Sequence, residues 1–147
     1  MAEEYHDEVV SFQRPENCTE IVRFNKATWH LSCGSLQISL SLLPQDSGEL
    51  VVDLMGGQPP VPGYRVTEPE RFSLGGNRGV FIDSTREESG DFLGKQIQAL
   101  IEGQDTYLMV IISDSEDFSF EDYADFLESI TFSRRFGRRV KKLKRVG

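Results

Sequence analysis

The most regular pattern in the chain is SLQISLSL, residues 35–42, in which Leu36, Ile38, Leu40 and Leu42 alternate with Gln37, Ser39 and Ser41. A period of two puts the aliphatic side chains on one face of a strand and the small polar ones on the other. The first face must be buried, while the second is weakly polar and suits solvent or a light cover. Residues 106–113, TYLMVIIS, are apolar on both faces and predict a central strand. Residues 64–67, 71–74, 80–84 and 92–101 read as further strands, and the last carries Leu93, Ile97, Ala99 and Ile101 on one side. GGNRG at 75–79 supplies the glycines of a hairpin turn, and a second turn falls at 103–105. The short links between these strands predict antiparallel neighbours. Upstream, Ile21, Val22 and Phe24 predict one short strand and Trp29 and Leu31 another, turning at Gly34.

Near the end the period changes. Tyr123, Phe126, Leu127 and Ile130 follow helical spacing, with Asp122, Asp125 and Glu128 opposite, which predicts a helix over 120–130. Ser119 is its N-cap, and Glu121 and Asp122 suit its positive end. Leu50, Val51, Leu54 and Met55 also share a helical face after Asp46 and Ser47, although LVVDLM reads equally as a strand. Gly56, Gly57, Pro59, Pro60 and Pro62 then make 56–63 an extended loop. The first 19 residues are polar apart from Val9, Val10 and Phe12, which predicts a flexible start with room for an edge strand near 8–13. The expected fold is α+β: an antiparallel sheet of about six strands with helices packed on it, formed by residues 20–133.

Charge changes the picture at the C-terminus. The 147 residues carry a net charge of −8, but 1–133 hold all 24 acidic side chains and only 8 of the 16 basic ones, a net −16. Residues 134–147 hold the other eight, Arg134, Arg135, Arg138, Arg139, Lys141, Lys142, Lys144 and Arg145, with no acid. An acidic domain thus ends in a basic tail. Within it Phe136, Val140, Leu143 and Val146 would share one helical stripe, weakened by Gly137 by about 1 kcal/mol relative to alanine. The tail suits four uses: a solubilising disordered end, docking onto an acidic surface, nucleic-acid binding, or contact with an anionic membrane. The acidic body repels phosphates unless the tail stands clear, and Phe136 is the only aromatic available for base stacking.

The remaining chemistry is sparse. GGNRG lacks the spacing of a phosphate loop and lies between strands. His6 and His30 occur in unrelated contexts; a triad needs a base held by an acid and facing a nucleophile, and no nucleophile-elbow sequence is present. His30 beside Trp29 therefore reads as a residue at the core edge, with an unrecognised site near His30 as the enzymatic alternative. Two histidines and two cysteines make a poor zinc set, and no cofactor is expected. Asp114, Glu116 and Asp117, with Glu121 and Asp122, form an acidic loop and cap without the spacing of a calcium loop. Cys18 and Cys33 lack a C-x-x-C spacing and read as two reduced, partly buried thiols; a disulfide between them requires an oxidising compartment. The acidic start MAEEYHDEVV does not match a secretory signal, so a cytoplasmic location is expected.

The order of elements resembles the PsbP-like and DcrB-like proteins over residues 64–133. The carrying stretches are YRVTEPERFSLGGNRGVFIDSTREE and FLGKQIQALIEGQDTYLMVIISDSEDFSFEDYADFLESITFS. They contain a small-residue turn, a long hairpin with an aliphatic second strand, and a closing helix with Phe120, Tyr123, Phe126 and Ile130 before Phe132. The opening P-x-G-W of the family is absent, with Trp29 as the nearest counterpart. The resemblance implies an antiparallel sheet with packed helices. It also implies a role as a binding or assembly factor, as in photosystem accessory subunits, a nuclear-transport regulator and chaperones of type VI secretion effectors. No functional residue carries over, because the matching positions are core positions.

The expected function is therefore a non-enzymatic protein-binding factor: a chaperone, adaptor or accessory subunit, with homodimerisation as a further option. The expected contact residues are Gln37, Ser39 and Ser41 on the polar sheet face, Val61 in the proline-rich loop and the eight basic tail residues. The alternatives are a tail-driven nucleic-acid or anionic-membrane binder and an enzyme.

Overall fold

A computed structural model describes residues 4–44, 62–74, 77–102 and 106–132. The expected helix or strand near 50–55, Val61, turn residues 75–76 and 103–105, and the basic tail from Arg134 to Arg145 lie outside the described residues.

Among the described residues, eleven strands form two antiparallel sheets. The small sheet joins β1 (Glu4–His6), β2 (Val10–Gln13) and β11 (Thr131–Phe132) in the order β1-β2-β11. The large one contains β3 (Glu20–Asn25), β4 (Thr28–Cys33), β5 (Leu36–Pro44), β6 (Tyr64–Val66), β7 (Glu70–Leu74), β8 (Asn77–Glu88), β9 (Asp91–Glu102) and β10 (Thr106–Asp114). Its order is β3-β4-β5-β10-β9-β8-β6, with β7 also paired to β8. This is eight strands rather than about six. All eight segments read as strands join the one sheet, because the short β6 and β7 both pair along the 12-residue β8. As expected, TYLMVIIS is central, lying between β5 and β9.

Chain reversals follow local chemistry. Cys33 pairs with Leu36 around Gly34, whose φ is 69°, and Glu88 pairs with Asp91 around Ser89 and Gly90 at 53° and 82°. Positive φ at the first central residue, or at both, matches a two-residue hairpin turn to the right-handed strand twist. Gly79 has a different role. A Cβ there would lie 2.5 Å from the Phe72 ring, so its missing side chain lets that ring lie over β8.

The first face of the large sheet carries the core. Trp29, Leu31, Leu36, Ile38, Leu40, Ile97, Ala99, Val110 and Ile112 are each at most 2% exposed. The alternation in β5 is confirmed residue for residue. The cover comes from β2 and from the chain after β10: a 3-10 turn (Phe120–Tyr123) runs into a short α1 (Ala124–Glu128). The helix expected over 120–130 is thus a tightened first turn plus five helical residues, and the fold is sheet-dominated. Its apolar stripe is as expected: Phe126 and Leu127 are buried, and Tyr123 and Ile130 pack against the core. Asp122 accepts the Ser119 N–H at 2.9 Å, capping the turn. Phe120 stacks on Phe81 at 4.4 Å and meets Phe72 edge-on at 4.7 Å, while Phe12 meets Phe126 at 5.6 Å.

Two expectations for the N-terminal region are corrected. Residues 4–19 are not a loose start outside the domain, because Val9, Val10, Phe12 and Cys18 belong to the core. Their anchor is Asp7. Its Oδ1 accepts the N–H groups of Val9 and Val10 at 2.7 and 2.9 Å, and its Oδ2 accepts the Tyr5 hydroxyl and the Trp29 indole N–H, both at 2.8 Å. Arg23 adds a charge 3.8 Å away. Burial alone would push the Asp7 carboxyl pKa up; the bonds from Val10, Val9, Trp29 and Tyr5 outweigh it and hold it below the ordinary value. Cys18 and Cys33 are not two reduced thiols but one buried disulfide. Pairing of Glu20 with Ser32, extended by the Thr19 N–H bond to the Ser32 carbonyl, brings the start of β3 beside the end of β4. That register was not available from a linear separation of 15.

Two outcomes are expected. Replacing both cysteines by serine lowers unfolding free energy by about 3 kcal/mol for a loop of this length, read as a urea midpoint shift that reductant reproduces in the unmodified chain. Asp7→Asn costs about 2 kcal/mol at pH 7 through lost charge-assisted bonds. Because the folded carboxyl has a depressed pKa, its stabilisation is present above the unfolded value and fades as pH falls through the folded one. The two unfolding curves should therefore converge once pH falls below the depressed folded pKa of Asp7.

Candidate functional site

The same strand alternation that fills the first face defines the second. Across β3, β4, β5, β10, β9 and β8 the residues Val22, His30, Ser39, Ile111, Gln98 and Ile82 stand in one row. A neighbouring row carries Thr28, Ser41, Met109, Leu100 and Val80, and then Arg71 on β7. The expected contact residues Gln37, Ser39 and Ser41 all lie on this face and are half-buried. Val61 and the tail arginines and lysines fall outside the described residues.

The half formed by β3, β4 and β5 is polar and self-paired. His30 Nε2 lies 2.6 Å from Gln37 Oε1, and His30 Nδ1 lies 3.2 Å from Ser39 Oγ. The amide oxygen only accepts, so Nε2 donates to it, which in the neutral ring leaves Nδ1 to accept from the Ser39 hydroxyl. Ser32 also donates to Gln37 Oε1 at 3.2 Å. A serine beside a histidine is the beginning of a nucleophile–base pair. Here the group orienting the ring is a neutral amide, which gives a developing imidazolium no counter-charge. Phe24, 65% exposed, meets His30 edge-on at 6.0 Å, and Val22 beside it is 37% exposed. These two apolar side chains lie at the rim of the polar network.

The other half is apolar. Val80, Ile82 and Leu100 form a second buried cluster, flanked by Leu43, Val66, Tyr107 and Met109. Sequence reasoning missed this cluster because Val80 and Ile82 on β8 meet Leu100 on β9 only once the register is known. Tyr107 and Met109 were visible as the second face of the doubly apolar β10.

The acidic residues singled out near 114–122 are divided among separate tasks. Asp114 Oδ1 accepts the Ser35 hydroxyl at 2.7 Å and the Glu116 N–H at 3.1 Å, and Asp122 caps the 3-10 turn. Asp117 lies 3.4 Å from Lys95, which also pairs with Asp83 at 3.0 Å, bonds the Phe118 carbonyl and stands 5.5 Å from the Phe118 ring centroid. Among the described residues no three His, Cys, Asp or Glu side chains converge on a point that would hold a metal ion. Burial would lower the Lys95 pKa, but Asp83 and then Asp117 outweigh it and raise the pKa above the ordinary value. This cation pins the loop before α1 to the edge of the core.

The fold so described is PsbP-like. No protein-family profile matches the chain, and no curated protein matches it significantly. Solved structures do. Cyanobacterial PsbP (CyanoP) from Synechocystis superposes with a TM-score of 0.56 at 10% identity, covering 89% of this chain and 92% of that one. LpqN of Mycobacterium tuberculosis, described as involved in cell envelope biogenesis, gives 0.53 at 13%, covering 90% and 91%. A protein from Bacteroides thetaiotaomicron gives 0.59 at 7%, covering 86% of this chain but only 46% of its own. At these identities the likeness is one of fold.

Lys95→Met should destabilise the domain by about 3 kcal/mol, because it leaves Asp83 largely buried without its cation. The double variant Lys95→Met/Asp83→Leu should recover most of that loss in the same denaturation assay. With the folded pKa raised, the Lys95 contribution is complete below the ordinary lysine value and is lost as pH rises through the folded one.

Proposed function

We propose that the chain is a non-enzymatic protein-binding factor, a chaperone, adaptor or accessory subunit, that holds a protein partner on the second face of its sheet. The observation that carries this reading is the exposed pair Val22 and Phe24 beside the His30–Gln37–Ser39 network. Apolar side chains left at the rim of a half-buried polar surface are typical of interaction sites. The polar groups of that surface are already paired with one another, so a partner covers them without stranding a donor or acceptor. A basic tail at 134–147 would supply a second, electrostatic contact, strongest at low salt. The secretion-chaperone reading is the finer version of the same proposal. The buried Cys18–Cys33 disulfide supports action in an oxidising compartment over the cytoplasmic location expected from the sequence.

The test is site-specific photocrosslinking in the native host. A benzoyl-phenylalanine at Phe24, or at Ser41, should give one dominant protein adduct. The same probe at exposed Glu128, on α1 across the core, should not. Removal of 134–147 should reduce the adduct several-fold at low salt and little at high salt. Equal labelling at Glu128, or no adduct at Phe24 and Ser41, overturns the proposal. Tight low-salt binding of the purified chain to DNA, RNA or anionic vesicles with no protein adduct would instead favour the tail-driven alternative.

A further inference from the structure

We propose that the far end of the second face carries a separate binding slot for a small amphiphilic monocarboxylate, with Arg71 as the group that takes the carboxylate. The slot has a volume of about 270 Å³ and is lined by Arg71, Arg78, Val80, Leu100, Glu102 and Tyr107. Strand register explains why these meet. Arg71 on β7 stands opposite Val80 on β8, and Val80 opposite Leu100 on β9. Glu102, two residues beyond Leu100, stands opposite Tyr107 on β10. The floor is therefore aliphatic, with Val80 and Leu100 at 4% and 2% exposure, one wall is aromatic, and the charges are at the rim.

The rim charges are not equivalent. Arg78 bonds Glu102 at 3.3 Å, so this pair is internally neutral. Arg71 makes no ion pair among the described residues and is exposed at the mouth. A guanidinium fork beside an apolar floor matches a ligand with a carboxylate at one end and a hydrocarbon body at the other. More highly charged anions such as phosphate are disfavoured, because with Arg78 paired to Glu102 a second negative charge finds no second unpaired cation at the rim. The volume lies just below the usual range for small-molecule sites, about 300–1,000 Å³, which limits the body to a short alkyl chain or a single ring. A cationic amphiphile would meet Arg71 with the wrong sign, and a neutral alcohol would leave it without a counter-ion. This site lies over β7–β10, away from Phe24 on β3 and two strands from Ser41 along the same row, and its occupancy does not depend on the protein-binding proposal.

The experiment uses the full chain labelled with ¹⁵N and titrated with octanoate, octan-1-ol and octylamine. Octanoate should bind saturably and shift the amides of Val80, Leu100 and Tyr107. Octan-1-ol and octylamine should bind at least roughly tenfold more weakly, the scale of one charge-assisted contact. Arg71→Gln should weaken octanoate by a similar factor while leaving octan-1-ol and the thermal transition unchanged; Arg71→Lys should recover part of the loss. Equal affinity for octanoate and octan-1-ol, an unchanged octanoate affinity in Arg71→Gln, or shifts confined to other residues would each overturn the proposal. A peptide ending in leucine serves as a further arm. If it binds at the slot more tightly than octanoate, the carboxylate belongs to a polypeptide and the small-molecule assignment fails.

Discussion

Leu36, Ile38, Leu40 and Leu42 cannot be left in water. Each is worth about 1.5–3 kcal/mol when buried, and one strand alternation places all four on one side of the sheet. β10, packed beside β5, adds Leu108, Val110 and Ile112 to the same face. The rest of the fold must cover that surface. Only short elements provide the cover among the described residues: a two-stranded N-terminal ribbon, a 3-10 turn, a five-residue helix and a two-residue strand. None of these is stable alone, since an isolated hairpin or a single helical turn is marginal in water. They hold because the ribbon, the 3-10 turn and the helix each insert a ring or aliphatic chain into the core and because Asp7, Lys95 and the Cys18–Cys33 disulfide fasten them at three points.

These fasteners explain where the sequence was legible and where it was not. Period-two alternation in β5, the apolar run of β10 and the Tyr123–Phe126–Leu127–Ile130 stripe are local signals, and each element lies where the pattern placed it. The N-terminal ribbon has a weaker signal, enough for an edge strand near 8–13, where β2 lies, but not for its burial. Val9, Val10 and Phe12 are three apolar residues in a polar stretch, and their burial depends on a carboxylate that reaches 22 residues ahead to Trp29. The cysteine pair is non-local in the same sense: two thiols 15 residues apart become neighbours only through the β3–β4 register. Leu93 fails in the opposite direction. It has the parity of Ile97 and Ile101, yet it is 39% exposed, because the tip of the β8–β9 hairpin extends beyond the cover.

The second face was half-legible. The polar positions Gln37, Ser39 and Ser41 were visible from β5 alone, and the structure adds the reason Gln37 and Ser39 tolerate partial burial. Histidine, glutamine and serine satisfy one another, so their polar atoms are not stranded as water is excluded. The apolar half was legible only at Tyr107 and Met109, the second face of the doubly apolar β10; Val80 and Leu100 come from two other strands and join them only through the register. One sheet face therefore presents two chemistries side by side. One is polar and already paired, suited to being covered by a large flat partner. The other is a shallow apolar slot with a charge at its mouth, suited to a small ligand.

Net charge is a poor guide to that slot. Residues 1–133 carry −16, which on its own argues against any anionic ligand. Screening reduces the influence of distant carboxylates over about 8–10 Å at physiological ionic strength, whereas a guanidinium in contact with the ligand acts at hydrogen-bonding range. Glu102 is the acid near enough to matter at the rim, and Arg78 already neutralises it. What remains locally is one positive charge against an aliphatic floor. The acidic body still has a consequence: it slows the approach of anions from solution and favours ligands whose binding comes largely from apolar contact. An amphiphile with a single negative charge satisfies both conditions, and inorganic anions satisfy neither.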